Sequence, residues 1–274
     1  MSTPLELTGL TKIFPTPTGP FIAVKDVNAS VDSGEFVAIL GHSGCGKSTV
    51  LSMVAGLAEA TLGGVIIDGR EVTEPGPERA VVFQAPCRLP WLTALQNVEV
   101  AATHGAGWRQ RRARGVTAQD YLDLVGVGDA ASQLPGHMSL GTQQCVAMAR
   151  ALSVEPRFLL LDEPFSMLDS LTRFELQDTL LRVWESSGKT VVMVTHDVDE
   201  ALYLADRLIL MTDGPEATVG DIFSVPFARP RTRAAVLSHP DYHASRRHVI
   251  DFLEHGAHQR RESPLDGVLS RWTS

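Results

Sequence analysis

The chain is 274 residues long, 44% hydrophobic and 20% charged, the make-up of a globular protein able to bury a full core in one large domain, or in one domain with an appendage. Its 24 Lys and Arg against 32 Asp and Glu leave a net charge of -8, which argues against nucleic acid as the main partner, since phosphate backbones are bound by basic faces. No run of ~18 apolar residues predicts a membrane span. The opening MSTPLELTGL has no signal-peptide pattern, and Cys45, Cys87 and Cys145 sit at unrelated spacings. They read as free thiols of a reducing cytosol, not as a disulfide frame or a zinc site.

Five continuous apolar runs punctuate the chain: 36–40, 80–83, 158–161, 191–194 and 208–211. Unbroken rather than alternating, they predict strands buried on both faces, as in a parallel sheet covered by helices. With helical stretches at 47–57 and 171–186, the pattern is α/β.

The first run leads into the strongest motif, GHSGCGKST at 41–49. Gly41-x-x-x-x-Gly46-Lys47-Ser48, between a strand and a helix, is a phosphate cradle: glycines let backbone N–H groups turn inward around an anion. The helix N-terminus adds its positive end. Lys47 is placed to reach the β- and γ-phosphates and Ser48 to ligate Mg²⁺. His42, Ser43, Gly44, Cys45 and Thr49 complete the loop, with no side-chain chemistry assigned to His42 or Cys45. Gln84 ends the second apolar run as a candidate Mg²⁺ ligand.

The segment 86–155 has no strand run and reads as a mostly helical insertion. Its basic patch, Arg109, Arg111, Arg112 and Arg114, reads as a solvated face. RFLLLDEP at 157–164 then carries a strand to its C-terminal end, where doubly wound sheets place ligands. Asp162 is a candidate to hold Mg²⁺ through water, and Glu163 to orient or deprotonate an attacking water. TVVMVTHD at 190–197 is another buried strand run, followed by His196, a candidate contact to the γ-phosphate. The tail after 220 is rich in Pro and Arg and holds five of the nine histidines, 239, 243, 248, 255 and 258. It reads as an exposed helix at about 242–255 folded onto the domain, with metal binding the alternative.

Together these segments resemble the ATPases of ABC transporters over nearly the whole chain. The resemblance implies a RecA-like P-loop NTPase core with a mostly parallel sheet, an N-terminal antiparallel β subdomain and a helical subdomain insertion. The expected boundaries are 1–85 with 156–220 for the ATP-binding core, 86–155 for the helical subdomain and 221–274 for a C-terminal extension. Walker A falls at 41–49, the Q-loop at Gln84, Walker B at 158–162 with Glu163, the D-loop at 166–169 and the switch at His196. Phe14 sits where the family stacks an aromatic on adenine; a core Phe is the alternative. Catalysis would rest on Glu163, His196 and Lys47, and the metal on Ser48, Gln84 and Asp162, with ATP and Mg²⁺ as cofactors.

The signature motif at 138–143 departs from the family's Leu-Ser-Gly-Gly-Gln: it reads Met138-Ser139-Leu140-Gly141-Thr142-Gln143. With Ser139 at the N-cap, Leu140 is a first-turn residue at ordinary helical angles, without strain. The groups expected at the phosphate, Ser139 and Gly141, are kept, and Gln143 belongs to the same expected set. Cys145 stands where the family carries Arg, which predicts a lost salt bridge within the cassette or at a dimer face.

In this family two cassettes, two copies or two homologues, pair head to tail, so Ser139 and Gly141 would act on the partner's ATP. The segment 87–98 would dock on integral membrane permease subunits, with a solute-binding protein acting indirectly and nucleic acid as no partner. The expected location is cytoplasmic, peripheral on the inner face of the membrane. GHSGCGKST, LPWLTALQNV and LLLDEPFSMLDSLTRFELQ are similar to the nitrate/sulfonate/taurine importer branch, and the tail to the nitrate, nitrite or cyanate type. The expected function is therefore the ATP-hydrolysing subunit of an importer for a small anion such as nitrate, nitrite or a sulfonate. The rival is a nucleotide-gated regulatory module with weak hydrolysis owing to its divergent signature. A DNA-repair or translation role is disfavoured by the single cassette and the acidic charge.

Overall fold

The computed structural model describes residues 5–17, 19–86, 89–105, 107–113 and 115–256. Cys87, Arg88, Arg114, His258 and the tail beyond 256, all drawn into the expectations above, lie outside the described residues. The chain forms two compact units, one from the described residues up to Pro75 together with those from Val192 onward, the other Gly76–Val191.

The first unit opens with β1 (Leu5–Thr16) and β2 (Gly19–Val31), an antiparallel pair in register from Leu5↔Val31 to Phe14↔Phe21 and Thr16↔Gly19. β3 (Phe36–Leu40) follows, all five residues buried, and runs into α1 (Lys47–Val54). β4 (Leu62–Ile67) and β5 (Arg70–Glu71) complete a four-stranded antiparallel sheet in the order β2-β1-β4-β5. Leu5, Leu7, Leu10, Val24, Val27, Val65 and Ile67 are among its buried apolar residues, the half-buried pattern of an antiparallel sheet.

α1 ends earlier than the expected 47–57. Gly56 sits at φ 74, and a Cβ there would lie 2.4 Å from the Glu74 carbonyl. The close approach of residue 74 demands a left-handed glycine and closes the helix after Val54.

In the second unit β6 (Arg79–Val82) is followed by α2 (Ala94–His104), α3 (Trp108–Ala113), α4 (Ala118–Leu124) and α5 (Leu140–Ser153). No strand occurs among the described residues from 86 to 155. Capping boxes Thr93/Gln96 and Thr117/Asp120 start α2 and α4, satisfying N–H groups that the first turn leaves unpaired. Buried Asn97 ties the loop before α2, accepting from Leu89 N and donating to the Leu89 and Leu92 carbonyls. The basic patch is not uniformly solvated. Arg109 and Arg112 are exposed, but Arg111 donates to the Ser153 carbonyl and lies 5.9 Å from the Trp108 ring.

β7 (Phe158–Asp162) pairs parallel with β6. α6 (Ser170–Ser187) and β8 (Thr190–Thr195), which runs across the division, follow. Back in the first unit come α7 (Val198–Leu204) and β9 (Arg207–Met211), parallel to β3. β10 (Val219–Ser224) is added antiparallel to β9. α8 (Arg233–Leu237) and α9 (Tyr242–Asp251) end the described chain. The helix expected at 242–255 is α-helical only to Asp251; residues 252–256 widen into a π turn. Phe252 packs where a Cβ on Gly220 would stand, 2.4 Å from its Cζ, and that packing accompanies the change of pitch.

Candidate nucleotide site

β3 is buried on every residue and delivers the loop 41–46 at its C-terminal end. Gly46 caps α1 at φ 96, and a Cβ on it would meet Val24 Cγ1 at 2.4 Å; only glycine closes this turn. Lys47, the first helical residue, is buried, and its ammonium donates to the Gly41 carbonyl at 2.7 Å and the His42 carbonyl at 2.8 Å. The loop therefore already curls around a cation. Ser43 and Ser48 are exposed and Thr49 is half-buried at the mouth of α1.

Two loop side chains that sequence left without a role are engaged. His42 Nδ1 pairs with Asp213 Oδ1 at 2.7 Å, and Asp213 is a residue sequence reasoning missed. Cys45 is buried with its thiol 4.0 Å from Lys47 Nζ. Burial pushes that thiol up, the nearby Lys47 charge opposing, so it stays a neutral packing group against Gly41.

In the second unit Asp162 closes β7 and Glu163 follows at φ 44, a left-handed conformation that costs a residue with a Cβ energy and that concentrates at functional sites. Glu163 Oε2 accepts from Gln84 Nε2 at 3.2 Å. The same amide reaches Ser166 Oγ at 3.3 Å, and Ser166 donates to the Glu163 carbonyl at 3.0 Å. Gln84 stands two residues beyond the end of β6, not on the strand. Ser166, the first residue of the expected D-loop, was given no individual role by the sequence. It holds the strained glutamate from the D-loop side, where Asp169 caps α6 by accepting from the Leu171 and Thr172 amides.

The signature folds as its N-cap chemistry dictates. Ser139 caps α5, its hydroxyl accepting from Thr142 N at 3.0 Å, and Leu140 is the first helical residue, 46% exposed. No positive φ occurs at 140, so Leu there carries no backbone penalty. A Cβ on Gly141 would sit 3.0 Å from Thr172 Cγ2. Gln143, expected with the nucleotide contacts, is buried, and its amide donates to the Pro135 and Met138 carbonyls, bracing the turn before the helix. Cys145 is buried, and burial, with a smaller push from the Glu175 charge, lifts its thiol up to about 11. Phe14 is 40% exposed, with Lys12 Nζ 5.3 Å from its ring; the core-residue alternative is excluded. His196 is exposed at the end of β8.

A glycine loop wrapped on a lysine at a strand-to-helix turn in the first unit, and a buried strand ending in Asp-Glu in the second, are the two marks of a P-loop nucleotide-binding protein. Residues 24–166, just over half of the chain, match the ABC transporter family model. The chain is 47% identical over 249 residues to a bicarbonate transport ATP-binding protein, CmpD, of Synechocystis, covering 91% of this chain and 88% of that one. It is 48% identical over 242 residues to the nitrate import ATP-binding protein NrtD of Synechococcus elongatus, covering 88% of each. Among solved structures, a dimeric post-hydrolysis state of the ATP-binding cassette MJ0796 bound to ADP and Pi superposes with a TM-score of 0.70 at 34% identity, over 82% of this chain and all of that one. The chain belongs to the ABC transporter family and is an ATP-binding, ATP-hydrolysing cassette. No helix among the described residues is long and apolar enough to cross a membrane.

Proposed function

We propose that this cassette energises the import of a small monovalent oxyanion, nitrate or bicarbonate in class, through separate membrane permease subunits. Support for the solute class comes from the relatives, which are named for nitrate and for bicarbonate. Both are trigonal anions of one charge. The cassette would sit on the cytoplasmic face of the membrane, with the segment after Gln84, where Trp91 is 71% exposed, against the permease.

The single observation that carries the catalytic reading is Glu163, held at a strained φ and hydrogen-bonded through Oε2 to Gln84. In this reading the loop amides from Gly41 to Thr49, His42, Ser43, Gly44, Cys45 and Gly46 included, cradle the β- and γ-phosphates. Lys47 leaves its two carbonyl partners for phosphate oxygens, a stronger charge-assisted bond. Phe14 stacks on adenine. Glu163 orients and deprotonates the attacking water, and His196 meets the γ-phosphate. The hydroxyl of Ser48, the carbonyl of Gln84 and the carboxylate of Asp162 are hard oxygen donors suited to Mg²⁺. When bound, that ion would neutralise charge on the β- and γ-oxygens. A second copy or a homologue would supply Ser139 and Gly141 to the same ATP.

The test is ATP turnover of the cassette assembled with its permease and solute-binding protein in lipid. Stimulation by nitrate or bicarbonate, absent with a divalent oxyanion such as sulfate, is expected. Stimulation by none of the monovalent anions would reject the solute class.

A further inference from the structure

The Arg- and His-rich extension has no role in the reading above, yet several of its polar contacts reach the two ends of one short helix. α7 has seven residues and starts two positions after His196, with Asp197 as its N-cap accepting from Glu200 N. At its C-terminal end the carbonyls that a helix leaves unpaired are taken by two arginines of the extension. Buried Arg231 donates to the Ala205 carbonyl at 2.6 Å and the Tyr203 carbonyl at 3.3 Å, while Arg229 donates to the Leu204 carbonyl and to Asp206. Arg233 lies 4.3 Å from the Tyr203 ring.

At the opposite end Asp199, in the first turn of α7, accepts from the Tyr242 hydroxyl at 2.7 Å and from Arg246 Nε at 2.8 Å. Both donors lie on α9. α9 is itself anchored by buried Val249, by His248 paired with Asp221 at 2.9 Å and stacked on Phe223, and by Phe252 against Gly220. The extension thus grips α7 at both ends. A cover that only hid apolar surface would need Phe227, Val236 and Val249, not four side chains aimed at the two termini of the helix behind His196.

We propose that residues 229–252 are a strap that fixes α7 and, through it, the orientation of His196, making Tyr242 and Arg246 positioning residues for hydrolysis. The strap rests on the reading of His196 as the γ-phosphate contact. A change anywhere along α9, including a partner bound to its outer face, would then alter turnover without touching the nucleotide.

The full chain with excess ATP and Mg²⁺ provides the test. In the Tyr242→Phe/Arg246→Ala double variant turnover should fall roughly tenfold while ATP affinity stays within about twofold, the split that marks a loss confined to the transition state. Arg246→Lys, which can still reach Asp199, should restore turnover to within about threefold of wild type. Turnover of the double variant within about twofold of wild type, while His196→Ala is inactive, overturns the strap alone. A parallel fall in turnover, ATP affinity and thermal midpoint overturns it in favour of a scaffold. Undiminished turnover in His196→Ala removes the premise itself.

Discussion

Lys47 shows how a residue can be legible in type and spacing while its resting partners are not. The loop spacing names it, but its ammonium lies on the carbonyls of Gly41 and His42, contacts made only when the loop closes. Replacing it by Ala removes a charge-assisted bond worth roughly 1.5–3 kcal/mol, so ATP affinity should fall roughly 10- to 150-fold in a fluorescence titration; wild-type affinity would contradict the cradle. Gln143 is the opposite case. Sequence placed it with the nucleotide because of its neighbours Ser139 and Gly141, but the 3.6-residue turn of α5 points it inward to Pro135 and Met138. Glu163 was named from its place after Asp162, whereas its φ of 44, accompanied by the Ser166 hydroxyl on its carbonyl and the distant Gln84 amide on its carboxylate, was not legible in the motif.

Cys145, read from sequence as a missing salt-bridge arginine, is a buried thiol held up to about 11. Its neutral form is favoured in the fold. That stabilisation is therefore complete below the ordinary value of 9.0 and is lost as pH rises from 9.0 to about 11. It amounts to about 3 kcal/mol at most. Urea unfolding at pH 9 and pH 11 should show a larger stability loss in the wild type than in Cys145→Ala; equal losses would place the thiol in solvent.

At the scale of elements, the strands were legible because burial on both faces writes an unbroken apolar run: all five expected runs lie in β3, β6, β7, β8 and β9, apart from Phe83, which falls just past β6. The antiparallel sheet of β1, β2, β4 and β5 followed only from the family resemblance. Its order and the Phe14↔Phe21 register are fixed by pairing across the chain rather than by any local pattern. Helix ends set by distant partners, Glu74 on Gly56 and Phe252 on Gly220, were equally invisible. The start of α5 was visible, because an N-cap serine is local chemistry. Ser139→Ala should cost ~1 kcal/mol of stability. Leu140→Gly restores the family residue but should leave ATP turnover within about twofold, since Leu140 is strain-free. A gain of tenfold would mean that the divergent signature does impair the enzyme.

For the whole molecule, the proposed function requires two cassettes to close on one nucleotide, with Ser139 and Gly141 of each serving the other. Glu163→Gln keeps the geometry at Gln84 while removing the base, so in excess ATP and Mg²⁺ it should accumulate as a dimer in sedimentation. A species that remains monomeric would count against pairing across the nucleotide. The central claim is hydrolysis itself, and steady-state ATP turnover of the wild-type complex against its Glu163→Gln variant tests it most directly. Loss of a positioned general base predicts wild-type turnover roughly 10²- to 10⁴-fold above the variant. Wild-type turnover no higher than that of Glu163→Gln would contradict it.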